Sequence, residues 1–171
     1  MIKCFIIAAQ SADGFIALDP AHPSSSLNWT SKEDKKHFVE LTKRAGVVVV
    51  GHTTFKTFQK PLKDRLNIVY SREPLQIEGV EVMNDEPRLL LEKLEKQGKT
   101  EVAICGGSQI YTMFMKASVV DKIYLTVEPV VFGQGLSLFK EPIEAKLRLE
   151  NLEKTESGTL FLEYSVVKSE T

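Results

Sequence analysis

The chain is 171 residues long with 22 Lys and Arg against 23 Asp and Glu, a net charge of −1. The two signs are interleaved along the sequence, which leaves no basic footprint for nucleic acid, and no apolar run reaches the length of a membrane span. Residues 1–171 fit one domain that can bury a core without disulfide or metal staples. Neither nucleic acid nor a membrane is therefore an expected partner. Cys4 and Cys105 both lie inside apolar runs and neither has metal-ligand spacing to a histidine, the pattern of reduced core residues in a cytoplasmic protein with no metal site.

Ile2 to Ala9 is a nearly continuous apolar run, suited to a strand buried on both faces. It is followed by the turn signal Asp13-Gly14 rather than by a signal-cleavage pattern. Phe15 and Ile16 make a brief extended return. From Leu18 to Asn28, LDPAHPSSSLN carries prolines and serines that cannot build a regular element, which predicts a surface loop long enough to act as a lid. After Trp29, TSKEDKKHFVELTKRA places Phe38, Leu41 and Ala45 at helical spacing. Thr30 with Glu33 matches a capping box, which puts Asp34 on the inward stripe one turn before Phe38, where a carboxylate needs a partner. With Ser31 as the cap, Asp34 is simply a first-turn acid favoured by the helix dipole. Both readings fit the sequence.

Gly46 closes that helix, Val47 to Val50 is a β-branched core strand, and Gly51-His52-Thr53-Thr54 opens a short helix. Pro61 to Arg65 is a polar turn before a strand from Asn67 to Tyr70, which ends in Ser71-Arg72. Val80 to Met83 predicts a short strand, and Pro87 to Gln97 a helix with Gly98 at its end. Val102 to Cys105 is a short apolar run stopped by Gly106 and Gly107, a buried strand that enters a helix continuing through Gln109 to Met115. This is a second glycine-stopped strand followed by a helix start; together with Gly51 it suggests a shared anionic ligand. Lys122 to Val127 is a strand, Val131 to Phe139 bends at Gly133 and Gly135, and Leu147 to Leu152 pairs with Leu160 to Val167. The alternation of strands and helices predicts a single-domain, three-layer α/β fold with a mainly parallel central sheet and antiparallel C-terminal strands.

The order of these motifs resembles the dihydrofolate reductase family over roughly residues 5 to 127. Ile7-Ala8-Ala9 with Asp13 and Ile16 is similar to the family's first strand and active-site loop, and Trp29 through Phe38 to its loop-end tryptophan and first helix. Gly51 to Phe55, Lys60-Pro61-Leu62 and Arg65 to Val69 resemble its cofactor-binding helix and the next strand. Ile104 to Tyr111, with Ile123 to Thr126, resembles its double-glycine motif and the strand after it. Ser108 stands where a third glycine is usual. Ser11 to Gly14 and Glu128 to Gly135 look more like the reductase domain of riboflavin biosynthesis, a relative of the same fold.

The resemblance implies NADPH-dependent reduction of 7,8-dihydrofolate to tetrahydrofolate by a monomer or homodimer, with Asp34 and Thr126 as catalytic residues. Ala9, Phe38, Ile104 and Arg65 would bind substrate, Arg65 by gripping a glutamate carboxylate. Cofactor contacts would come from Ala8, Ile16, Gly51, His52, Thr53, Thr54, Ser71, Arg72, Gly106, Gly107, Ser108, Gln109 and Ile110. His52 and Arg72 would meet the extra phosphate of NADPH, and the Gly106–Gly107 bond would be strained or cis. The alternative is a same-fold reductase of a ribosylaminopyrimidine or another small heterocycle; a third possibility is a dinucleotide-binding protein without catalysis.

Overall fold

A computed structural model describes residues 1–18 and 28–168. Most of the predicted loop from Leu18 to Asn28 lies outside the described residues. The strands are β1 (Lys3–Ser11), β2 (Phe15–Ala17), β3 (Val47–Gly51), β4 (Leu66–Tyr70), β5 (Val80–Met83), β6 (Glu101–Ile104), β7 (Lys122–Glu128), β8 (Leu136–Ser137), β9 (Lys146–Lys154) and β10 (Leu160–Val167). The helices are α1 (Lys32–Ala45), α2 (His52–Phe58), α3 (Pro87–Lys96) and α4 (Ser108–Lys116).

Eight strands form one sheet in the order β5-β4-β3-β6-β1-β7-β10-β9. Every pairing from β5 to β7 is parallel, and β10 is antiparallel to both β7 and β9. β1 lies at the middle because Cys4 to Ala9 are all apolar, so this stretch can be buried from both sides. Cys4, Ile6 and Ala8 pack into one core with Leu90 and Leu94 of α3 and Ile110 and Phe114 of α4. Phe5 and Ile7 point the other way, against Leu41 and Ala45 of α1. The alternation of β-carbons across a strand thus produces the three layers. Each fully buried side chain such as Ile6 or Leu90 contributes on the order of 1.5–3 kcal/mol.

The chain leaves β1 through α1 toward β3, and leaves β6 through α4 toward β7, in opposite directions along the sheet. Right-handed crossovers then force α1 and α4 onto opposite faces, and the sheet opens at the carboxyl ends of the adjacent strands β1 and β6.

Three local expectations change. The N-cap of α1 is Ser31, whose hydroxyl accepts the Asp34 N–H at 3.1 Å, so Thr30 does not form the capping box. The extended segment at Phe15 does not return along β1 but pairs with β8, far away in sequence. β6 ends at Ile104, which leaves Cys105 in the turn beyond the strand.

Candidate active site

At the carboxyl ends of β1 and β6 lies a cleft of about 290 Å³, walled by Ala8, Ala9 and Ile16 on the β1 side and by Asp34 and Phe38 from α1. Thr54 and Phe58 of α2, Leu62, Arg65, Cys105, Gly106 and Gly107 complete it. Asp34 is the only acid among its described lining residues. The helical spacing of Asp34 and Phe38 puts both on one face of α1. Asp34 is thus at once a first-turn acid behind the Ser31 cap and an inward-facing one, although the Thr30 capping box is not formed.

Burial raises the proton affinity of the Asp34 carboxyl above the usual carboxylate range, and the Glu128 carboxylate pushes in the same direction. The Thr126 and Thr30 hydroxyls and His37 act against the rise. Thr126 is buried on β7 directly across from Ala9. It therefore stands behind Asp34 rather than in the cleft wall.

The two glycine-stopped junctions meet. Gly51 N donates to Gly106 O at 2.7 Å, and Cys105 N donates to Val49 O at 2.8 Å. The Gly106–Gly107 peptide is cis. Gly106 has φ +112°, and a β-carbon there would lie 3.1 Å from the Tyr111 hydroxyl, which itself donates to Ile7 O at 2.7 Å. A β-carbon on Gly107 would sit 2.8 Å from Thr54 Oγ1. Only glycine keeps that floor open, and the first-turn N–H groups of α4 face out beside it. This cradle fits the phosphates of a dinucleotide.

The remaining sequence candidates divide. Gly51 backs onto Ile110, its β-carbon position 3.0 Å from Ile110 Cγ1, so Ile110 supports the junction from the core. The Ser108 hydroxyl donates to Ser137 O at 2.8 Å and is spent in joining α4 to β8; what it offers a ligand is its N–H. His52 and Thr53 occupy the first turn of α2, and Gln109 is exposed in the first turn of α4. Ser71 N donates to Met83 O, its hydroxyl accepts from Glu73 N, and Arg72 is exposed beside it, beyond the cleft. Ile104 is a correction: it is fully buried in the core on the α3 and α4 side and does not reach the cleft. Its neighbour Cys105 does, because the strand ends between them and the side chain alternates to the other face. Burial pushes the Cys105 thiol up to about 12, so it lines the wall as a neutral group.

Arg65 donates from Nε to Lys63 O at 2.9 Å and from Nη1 to Thr42 Oγ1 at 2.8 Å. Two of its five N–H donors are held, which points the guanidinium and leaves the rest for an anion at the cleft. Phe58, Leu62, Tyr111 and Glu128 were given no role in the site from the sequence. Thr54 and Phe58 are four apart on α2, a spacing that signals a shared face; Glu128 carries no local signal, because its partners lie 97 and 31 residues away.

The dihydrofolate reductase family model matches residues 3–149. Dihydrofolate reductase type 3 of Salmonella typhimurium is 36% identical over 124 residues, covering 71% of this chain and 68% of that one. Among solved structures, a pyrimidine reductase-like protein of Corynebacterium diphtheriae aligns with a TM-score of 0.78 at 17% identity, covering 98% and 93% of the two chains. The dihydrofolate reductase of Enterococcus faecalis complexed with NADP(H) aligns at 0.76 and 24% identity, covering 97% of each. The family match makes the protein an oxidoreductase, and a nicotinamide cofactor is what that family implies. The chain belongs to the dihydrofolate reductase family.

Proposed function

We propose that the protein is an NADPH-dependent dihydrofolate reductase with Asp34 as its substrate-orienting and proton-handling group. The observation that carries this reading is a carboxylate of raised proton affinity, the only one among the described lining residues, in a largely apolar cleft that the glycine cradle borders. When bound, the cofactor supplies the hydride. Asp34 accepts hydrogen bonds from the amino and ring N–H groups of a pteridine, a charge-assisted pair that fixes which ring edge faces inward. Its raised proton affinity suits it to pass a proton, through water, toward the ring nitrogen beside the carbon that is reduced. Phe38, Ala9 and Phe58 hold the ring plane by apolar contact and keep bulk water out. Orientation of this kind supplies about 7–11 kcal/mol in favourable cases.

Arg65 supports a folate over a substrate without a carboxylate tail, because its free N–H pair matches a carboxylate fork. The cofactor would lie across Gly106 and Gly107, with Thr54 beside them, the α4 N-terminus at its phosphates, and the exposed guanidinium of Arg72 as the candidate for the extra phosphate of NADPH. The test is loss of nicotinamide absorbance when purified protein and NADPH receive dihydrofolate or, separately, the ribosylaminopyrimidine of riboflavin synthesis. Turnover of dihydrofolate is expected; turnover of the pyrimidine alone would reject the folate reading while keeping the reductase.

A further inference from the structure

The carboxyl end of β7 carries a buried acid that the proposed chemistry does not touch. Glu128 is 3% exposed. Its Oε1 accepts the Ser31 N–H and the Ser31 hydroxyl, both at 2.9 Å, and its Oε2 accepts the Thr159 hydroxyl at 2.8 Å. Ser31 Oγ in turn accepts the Asp34 N–H at 3.1 Å. The chain of bonds has a direction. Because the Ser31 hydroxyl proton is spent on Glu128, a lone pair of the same oxygen is left facing Asp34 N. A serine hydroxyl otherwise rotates freely, and the carboxylate removes that freedom.

The three anchors come from distant parts of the chain: the end of β7, the residue that starts α1, and the turn between β9 and β10. A buried carboxylate with three donors is a costly construction to assemble and a stiff one once made. It clamps the first turn of α1, where Asp34 sits, against the strand that also carries Thr126.

We propose that Glu128 is a positioning residue for Asp34, acting through Ser31 to fix the first turn of α1 at the cleft. This rests on the assignment of Asp34 as the working carboxylate. The second effect of Glu128 is electrostatic, since its negative charge adds to burial in favouring the protonated form of Asp34. The other groups facing Asp34 are Thr126 on β7, Thr30 ahead of α1, His37 one turn further along it and Tyr111 of α4, with Lys35 and Arg65 lining the same cleft. None of these makes the bond to Ser31 that Glu128 makes.

Three variants separate the roles. Glu128→Gln keeps the side-chain length and an acceptor oxygen but removes the charge; Ser31→Ala keeps the charge and breaks the relay; Glu128→Ala removes both. The first readout needs no substrate: titration of the Asp34 carboxyl by carbon NMR in the ligand-free protein. It is expected to move to lower pH in Glu128→Gln. The second readout is turnover of dihydrofolate, where Ser31→Ala and Glu128→Ala are expected to lose kcat by about 10- to 100-fold, the scale of a misplaced reacting group, with the Kd for NADPH within about twofold of wild type by the same estimate. An unmoved Asp34 titration in Glu128→Gln, or wild-type kcat in Ser31→Ala, overturns the proposal. Should Glu128→Ala fail to fold, the other two variants still decide it. If the wild-type protein does not turn over dihydrofolate, the folate reading falls, and the titration still judges Glu128.

Discussion

The strands β1, β6 and β7 carry a recess at each end. At their carboxyl ends is the cleft of about 290 Å³ with Asp34, Phe38 and the two glycines. At their amino ends a larger recess, about 690 Å³, is lined by Lys3, Arg44, Glu101, Asp121, Lys122, Tyr124 and Arg148. The larger one is rich in charge, but apart from Lys3 its ions are matched among the described residues. Arg44 grips both oxygens of Glu101 at 2.8 and 2.7 Å and lies over the Phe5 and Tyr124 rings, Lys122 pairs with Glu163, and Lys168 reaches Asp121 at 2.8 Å. Ions that satisfy one another have little left for a ligand. The smaller cleft has one carboxylate with hydroxyl neighbours and no cation within ion-pair distance among the described residues, and that imbalance gives it chemistry. Volume and charge count are poor guides to function; unspent hydrogen-bonding capacity is a better one.

The contrast is broken most directly by Asp34→Asn. Turnover at neutral pH should fall by about 10²–10⁴-fold, the usual worth of a positioned acid or base, with NADPH binding retained. If NADPH affinity disappears in a folded variant, Asp34 belongs to the cofactor site instead. Next in size is Gly107→Ala. Its β-carbon would meet Thr54 Oγ1 at 2.8 Å, and overpacking of this kind costs about 1–3 kcal/mol, so fluorescence titration should show NADPH bound several-fold to a hundredfold more weakly. Adding Thr54→Ala should restore part of the loss by removing the clashing hydroxyl.

Arg65→Leu should raise the KM for dihydrofolate by about 10- to 100-fold, the loss of a charge-assisted bond, while a pterin without the glutamate tail is hardly affected. Equal losses on both substrates would remove the carboxylate role. A subtler effect concerns stability. Because the folded-state proton affinity of Asp34 is raised, its ionisation opposes folding. Wild type therefore loses stability as pH climbs from the ordinary value near 3.8 through the raised one, and the loss is complete above it. The Tm of Asp34→Asn, measured against wild type, should improve between acid and neutral pH; a Tm difference that shrinks over that range would show the carboxylate to be stabilised by folding. The smallest effect is at the other recess. Arg44→Met should change stability by no more than about 1 kcal/mol, since the pair with Glu101 is partly exposed, and should leave kcat unaltered.

Much of the architecture was legible in residue order. The β-branched run at Val47, the apolar run at Ile2 and the glycine stops at Gly46 and Gly51 locate β3, β1 and the helix ends, because burial on both faces and left-handed or open backbone each demand particular residues. The carboxylate four residues before Phe38 was visible for the same reason. What escaped was long-range. The Ser31 cap is also held by Glu128, 97 residues away, and the exclusion of Ile104 in favour of Cys105 depends on which face of the sheet becomes the cleft, since the two side chains alternate into opposite cores. No helix among the described residues is long and apolar enough to cross a membrane.

By itself the sequence determined the layers, the two glycine-stopped junctions and the inward acid on α1, since these follow from local periodicity and from backbone that only glycine allows. The tertiary structure alone decided that the junctions at Gly51 and Gly106 touch, that Asp34 faces them across the sheet opening, and that Glu128 and Thr159 hold the start of α1. Those contacts join residues many tens of positions apart, and the strand order that brings them together is set by the handedness of the crossovers and the competition for the buried centre of the sheet, neither of which is written in any one stretch of chain.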